Sequence, residues 1–154
     1  MAASYSSEHA RFSEDGYAMV RGLLTARETA TLLSVARDDP ALRDHAYDRL
    51  DGEGRSTRLT AWYEPGEDSF GLLCRTARIV DRMTALIGDE VWHYHSKLMQ
   101  KEPRVGGAWE WHQDYGYWYE QGFMSPDMAS VFVALDGATR ENGCLQVLKG
   151  SHRF

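Results

Sequence analysis

Long apolar runs are missing from this 154-residue sequence. No stretch approaches the roughly 20 apolar residues that a membrane helix needs, and the start lacks the pattern of a secretory leader, so neither a membrane partner nor export is expected. Cysteine is scarce: Cys74 and Cys144 are the two present, and their separation matches no metal-binding spacing. Both are expected as buried free thiols in a reducing, cytoplasmic setting. Basic residues are outnumbered, with 17 Lys and Arg against 23 Asp and Glu and a formal charge of −6. Without a basic stripe to neutralise phosphates, a nucleic-acid partner is not expected. Repeats and low-complexity tracts are absent as well. With 43% hydrophobic and 26% charged residues, composition is that of a globular chain, and one domain with its own core is expected over residues 1–154.

What the sequence does have is a crowd of aromatics around one histidine–carboxylate pair. The stretch Trp111-His112-Gln113-Asp114-Tyr115-Gly116-Tyr117-Trp118 follows Gly106-Gly107 and precedes an apolar run. On an extended segment, residues two apart point the same way. The His112 imidazole and the Asp114 carboxylate are therefore expected side by side, as two of three ligands on one face of a six-coordinate ion. Two histidines and one carboxylate in that facial arrangement are the usual cradle of non-haem Fe(II). The plain alternative is a hydrogen-bonded surface pair. His93 and His95 share the same two-residue spacing, and lining a sheet face is their simpler reading. Trp109, Trp111, Tyr115, Tyr117, Trp118 and Tyr119 are packing aromatics or, where alternation turns them inward, walls of a substrate site.

In chain order, residues 1–10 are small and polar and are expected to fray. Gly16 to Val20 reads as a short strand. Thr25-Ala26-Arg27-Glu28 is a capping box that opens a helix with Leu32, Leu33, Val35 and Ala36 on its apolar face, ending near Pro40. Residues 38–66 read as charged loops around a short strand over 58–63. Phe70, Leu73, Ala77, Val80, Met83 and Ile87 recur at helical spacing, which predicts one helix from a Ser69 cap to a Gly88 stop. Strands are expected over 91–100, 108–115, 128–135 and 144–148. The third of these reads as central and buried, and the last is entered through an Asn142-Gly143 turn. In the first, His93, His95, Lys97 and Met99 share one face, with Trp92, Tyr94, Ser96 and Leu98 on the other.

Helices first and antiparallel strands afterwards predict a mainly-β fold with N-terminal helices. Its core would be a jelly-roll or cupin-like sheet, with a helical and strand region over 1–90 and the first part of the jelly roll over 91–154. The strands counted are too few for a full roll, so its C-terminal strands are expected to be missing from this chain.

The order of Phe12…Gly16-Tyr17, the Thr25–Glu28 box, Trp111-His112-Gln113-Asp114 and the run from Arg140 to His152 (Arg-Glu-Asn-Gly-Cys-Leu-Gln-Val-Leu-Lys-Gly-Ser-His) resembles the phytanoyl-CoA dioxygenase family. Residues 95–118 are similar to its ectoine-hydroxylase-like branch. The resemblance implies a double-stranded β-helix, Fe(II), 2-oxoglutarate as co-substrate and O₂, and hydroxylation of a small molecule with release of succinate and CO₂. It also implies that His112 and Asp114 are iron ligands, and that Lys97, Lys101 and Phe132 border the 2-oxoglutarate pocket. His95 and Trp118, with Trp109 beside them, would lie near substrate. A carboxylate at Asp114, where the halogenating branch has Gly or Ala, implies hydroxylation. The family's third ligand, a His, and the Arg that pairs with 2-oxoglutarate lie downstream of the Gly-Ser-His run, beyond Phe154. The competing expectations are a non-catalytic jelly-roll binding module and an inactive remnant. The aromatic Tyr115–Tyr119 segment mildly favours a compact polar or zwitterionic substrate, since Trp faces attract cations, while the substrate's identity and the oligomeric state lie beyond the sequence.

Overall fold

The computed structural model describes the backbone of residues 2–154 and the side chains from Tyr5 onward. The chain opens with α1 (Ala2–Asp15), where fraying was expected. This helix lies against a later one, α5 (Ala77–Ile87). Arg82 joins the two, its Nε 3.2 Å from Glu8 Oε2 and its guanidinium 5.3 Å from the Tyr5 ring. Residues 17–20 are irregular rather than a strand.

The capping box forms as read. Glu28 N–H donates to Thr25 Oγ1 at 3.2 Å, and Thr25 N–H donates to Glu28 Oε2 at 2.7 Å. These bonds satisfy two of the donors that a helix start leaves open and begin α2 (Ala26–Asp38). Asp39 closes that helix and opens the next. Its N–H bonds to Val35 O, while its carboxylate accepts from Ala41 N–H at 2.8 Å to start α3 (Pro40–Asp44) with proline at its first position.

The expected long helix over 69–87 is two. Asp68, not Ser69, caps α4 (Ser69–Cys74) by accepting from the N–H groups of Phe70 and Gly71, both at 2.8 Å. Thr76 is extended (φ −65°, ψ 136°), which breaks the ladder before α5 starts. The apolar spacing survives such a break, so periodicity alone does not show it. Gly88 closes α5 in the left-handed region at φ 87°, which glycine adopts without a Cβ penalty.

Three antiparallel strands in the order β1 (Tyr47–Leu50), β2 (Ser56–Trp62) and β3 (Ser96–Gln100) form one sheet. Registers such as Tyr47 opposite Leu59, and Ala61 opposite Lys97, sort the side chains onto two faces. Thr60, Trp62, Leu98 and Gln100 face the helices. Thr60 Oγ1 donates to Leu42 O and Gln100 Nε2 to Ala36 O. The core lies there, built on Leu32, Ala36 and Phe70 with Trp62, Leu73, Leu98 and Leu135 packed around them. The opposite face, which carries Tyr47, Arg49, Leu59, Ala61 and Lys97, floors the candidate site.

The described residues hold three strands and six α-helices, so the mainly-β expectation is corrected for them. Segment 91–100 is a strand only from Ser96. Segment 108–115 is irregular and runs into α6 (Asp114–Glu120). Segments 128–135 and 144–148 form no strand. Val131, Phe132, Leu145 and Leu148 are exposed, and of 128–135 Leu135 reaches the core. The physical reason is pairing. A strand is held by its neighbour's backbone, and neither segment lies beside one among the described residues. Cys74 and Cys144 are free, as expected, but half-buried rather than buried. No described helix is long and apolar enough to cross a membrane.

Candidate functional site

The site segment is tied to the sheet before it reaches His112. Gly107 N–H donates to Ser56 O at 3.0 Å, and the buried Thr57 hydroxyl donates to Gly107 O at 3.2 Å. Ala108 N–H donates to Asp51 Oδ2 at 2.9 Å, and Asp51 Oδ1 accepts from Glu53 and Arg55 N–H. These backbone donors, Ala108 first, hold the Asp51 carboxyl below its ordinary value. Asp51 was not singled out from sequence. Its signal is a turn carboxylate ahead of Gly52 and Gly54, which sets the turn but says nothing of the distant Ala108.

From that anchor the chain brings the two expected ligands together. His112 Nε2 lies 3.1 Å from Asp114 Oδ1. Gln113 between them is extended (φ −112°, ψ 127°), so the alternation argument holds locally although Asp114 already begins α6. His112 Nδ1 is 2.6 Å from Glu110 O. A carbonyl only accepts, so Nδ1 carries a proton, and Nε2 is the ring nitrogen turned toward the carboxylate. Asp114 Oδ2 accepts from Ser130 Oγ at 3.2 Å. With Nε2 free of a proton, the imidazole and the carboxylate would present two donor atoms to one cation. Two ligands about 2.1 Å from one ion and at right angles lie about 3 Å apart, which fits the observed spacing. The outer bonds, Nδ1–H to a carbonyl and a hydroxyl to the carboxylate, are the kind that orient metal ligands. Among the described residues no group of three or more His, Cys, Asp and Glu side chains is arranged to hold a metal.

Beside this pair lies a cleft of about 250 Å³ lined by both walls of the sheet face and by α6, including Tyr47, Arg49, His95, Lys97, Trp109 and Trp118. Trp109 connects the two sites: its ring lies 5.8 Å from that of His112. Its indole N–H is buried without an acceptor. Arg49 places its guanidinium 4.0 Å from the Trp109 ring centroid, and Lys97 its ammonium 5.1 Å away. His95 packs 5.1 Å from Trp118 and 5.3 Å from Tyr94. Burial, then the charge of Lys97, pushes its pKa below the ordinary histidine value, with Asp114 pulling the other way.

Of the residues named from sequence, His112, Asp114, His95, Lys97, Trp109 and Trp118 thus gather in one region. Lys101 and Phe132 do not line the cleft. Lys101 Nζ lies 3.4 Å from Gly143 O, and Phe132 is exposed because its segment has no sheet neighbour. His93 turns to Ser96 Oγ at 2.8 Å, and His152 to Ser13 O at 3.1 Å. The cleft residues missed were Tyr47, Arg49, Leu59, Ala61, Tyr63 and Gln121. For Tyr47 and Arg49 the signal was their alternation, hidden while 47–50 read as loop.

Residues 12–154 match the family described as Phytanoyl-CoA dioxygenase (PhyH). The chain belongs to that family. Members of the family share a cupin-like jelly roll, and the described residues of this chain form a three-stranded antiparallel sheet and six α-helices. Similar relatives include the L-proline trans-4-hydroxylase of Streptomyces griseoviridis, 39% identical over 80 residues that make up 51% of this chain and 30% of that one. The ectoine dioxygenase of Sphingopyxis alaskensis is 33% identical over 94% of this chain and 48% of its own length. A third, the ectoine dioxygenase of Nocardia farcinica, is 28% identical over 97% of this chain and 51% of its own. The chain thus spans about half the length, or less, of these family relatives. No solved structure matches it.

Proposed function

We propose that these residues form the ligand-bearing front part of an Fe(II)- and 2-oxoglutarate-dependent dioxygenase that hydroxylates a compact small molecule. The observation that carries this reading is the His112–Asp114 pair, with Nε2 and Oδ1 3.1 Å apart and outer hydrogen bonds to Glu110 O and Ser130 Oγ. His112 and Asp114 would hold the metal, with a third ligand from outside the described residues. Bound iron with 2-oxoglutarate and O₂ supplies the oxidising chemistry. The chain's own residues do the rest. Glu110 fixes the His112 tautomer, and Ser130 holds Asp114 so that one oxygen points at the metal position. Lys97 offers its ammonium to a carboxylate of the co-substrate. His95, neutral and packed on Trp118, lines the substrate space. The relatives' names, an L-proline hydroxylase and ectoine dioxygenases, support a compact amino-acid-like substrate, and a cleft of about 250 Å³ suits one. Asp114 as a carboxylate supports hydroxylation over halogenation.

The test is Fe(II)-dependent formation of succinate from 2-oxoglutarate by the polypeptide that contains these residues. His112→Ala should abolish it, and full activity in that variant defeats the assignment. A second reading, a metal-free binding module of the same fold, draws support from the lack of a third ligand among the described residues. It predicts ligand binding indifferent to Fe(II).

A further inference from the structure

Arg49 and Lys97 stand on the two outer strands of the sheet, at opposite corners of one face, opposite Thr57 and Ala61 of β2 respectively. Their heads nevertheless converge on one indole, 4.0 and 5.1 Å from the centre of Trp109. The two charges are therefore no further apart than the sum of those distances. Neither has an acidic partner: no carboxylate among the described residues lies in ion-pair range of Arg49 or of Lys97. Bringing two like charges together without an acid between them is unfavourable, and stacking on the ring recovers part of that cost. The cleft they share is small, part polar and walled by Tyr47, Tyr63 and Trp118.

The two cations are not equivalent. Lys97 stands two residues along the chain from His95, whose ring packs 5.1 Å from Trp118 of α6, the helix that Asp114 begins, which puts Lys97 on the metal-pair side of the cleft, where a co-substrate that must reach the metal belongs. Arg49 comes from the far corner, on β1, the edge of the sheet opposite the β3 edge that carries Lys97. We propose that Arg49, held over the Trp109 ring, anchors the carboxylate of the substrate itself and so selects carboxylate-bearing molecules over their neutral analogues. A guanidinium suits this work because it stays charged and presents a planar fork of donors that matches a carboxylate. Its stacking on Trp109 fixes that fork before the ligand arrives, so little side-chain freedom is lost on binding. This inference rests on the proposed function for its division between substrate and co-substrate.

The test is calorimetric titration of the Fe(II)-loaded polypeptide that contains these residues, under exclusion of oxygen, with three probes: L-proline, L-prolinamide and 2-oxoglutarate. L-prolinamide keeps the ring and the amine and lacks the carboxylate. The unsubstituted chain should bind L-proline more tightly than the amide. Arg49→Met should weaken L-proline about 10- to 100-fold, the loss of a charge-assisted hydrogen-bond pair, and leave L-prolinamide and 2-oxoglutarate unchanged. Arg49→Lys should restore part of the loss. Equal weakening of L-proline and its amide would mean that Arg49 merely props Trp109, and overturns the proposal. Weakening of 2-oxoglutarate alone overturns it by giving Arg49 to the co-substrate, as does an unsubstituted chain that does not distinguish acid from amide. Fe(II) binding that persists unchanged in His112→Ala counts against the proposed function instead, and is read in a separate metal titration.

Discussion

Replacing Gly107 by alanine tests whether the site segment hangs from the sheet as described. An added Cβ would meet the Arg55 carbonyl oxygen at 2.6 Å and its carbon at 3.1 Å, where ordinary contact begins near 3.4 Å. Both are backbone atoms of the turn into β2, so no flexible side chain can yield. Overpacking of this kind costs about 1–3 kcal/mol. The shift also strains Gly107 N–H to Ser56 O and leaves the Thr57 hydroxyl, in a residue only 1% exposed, without its acceptor. An unsatisfied buried hydroxyl costs about 1–3 kcal/mol. Since both penalties arise from one displacement, the combined loss is about 2–4 kcal/mol. At about 2–4 °C per kcal/mol for a domain of this size, Tm should fall by about 5–15 °C. Gly52→Ala is the control: its Cβ would meet nothing nearer than 3.9 Å, and alanine there should be neutral or slightly stabilising through the unfolded state. Thermal unfolding followed by circular dichroism reads both. Because Trp109 and His112 follow Gly107 closely, Fe(II) affinity should fall in the same variant. Equal Tm values for the two alanine variants would refute the reasoning.

Ser130→Ala removes the hydrogen bond to Asp114 Oδ2 and should lower Fe(II) affinity about 10- to 100-fold in a competition titration, with little change in Tm. His95 has a lowered pKa in the folded chain, so the unfolded chain binds more protons over the window from that lowered value up to about 6.5. Stability should therefore fall as pH drops below about 6.5 and level off below the folded pKa, and urea unfolding of His95→Gln should show a shallower decline. Thr25→Ala removes the cap on α2 and should cost about 1 kcal/mol, seen as a Tm about 2–4 °C lower. A Tm within error of the parent would mean that Glu28 holds the helix start without it.

Local chemistry was the legible part of the fold. The Thr25–Glu28 box, the Gly88 stop, the Asn142-Gly143 turn and the two-sided pattern of 96–100 depend on neighbours in the chain, and each is where the residues put it. The break between α4 and α5 was not legible, because Asp68 and Thr76 act through backbone geometry that apolar spacing ignores. Apolar runs at 128–135 and 144–148 read as strands on composition, yet a ladder needs a partner that composition does not supply. The site divides in the same way. His112 and Asp114 meet through a single extended residue between them, so their spacing sufficed to bring them together. Arg49 reaches Trp109 across 60 positions, and β1 had to be seen before its face could be assigned.

Glu28 has a consequence beyond capping. Its carboxylate accepts from Thr25 N–H and hydroxyl and also from the Arg78 guanidinium, which in turn donates to Leu23 O. These donors, Arg78 first, bring its pKa down to about 2. One carboxylate thus latches the first turn of α2 to the first turn of α5, two helices 50 residues apart in the chain. Opening either start breaks the contact they share, so the exchange of their amides with solvent should be coupled. The latch is fully set above a pH of about 4.5 and loosens as pH falls toward about 2, where both helix starts would begin to exchange independently.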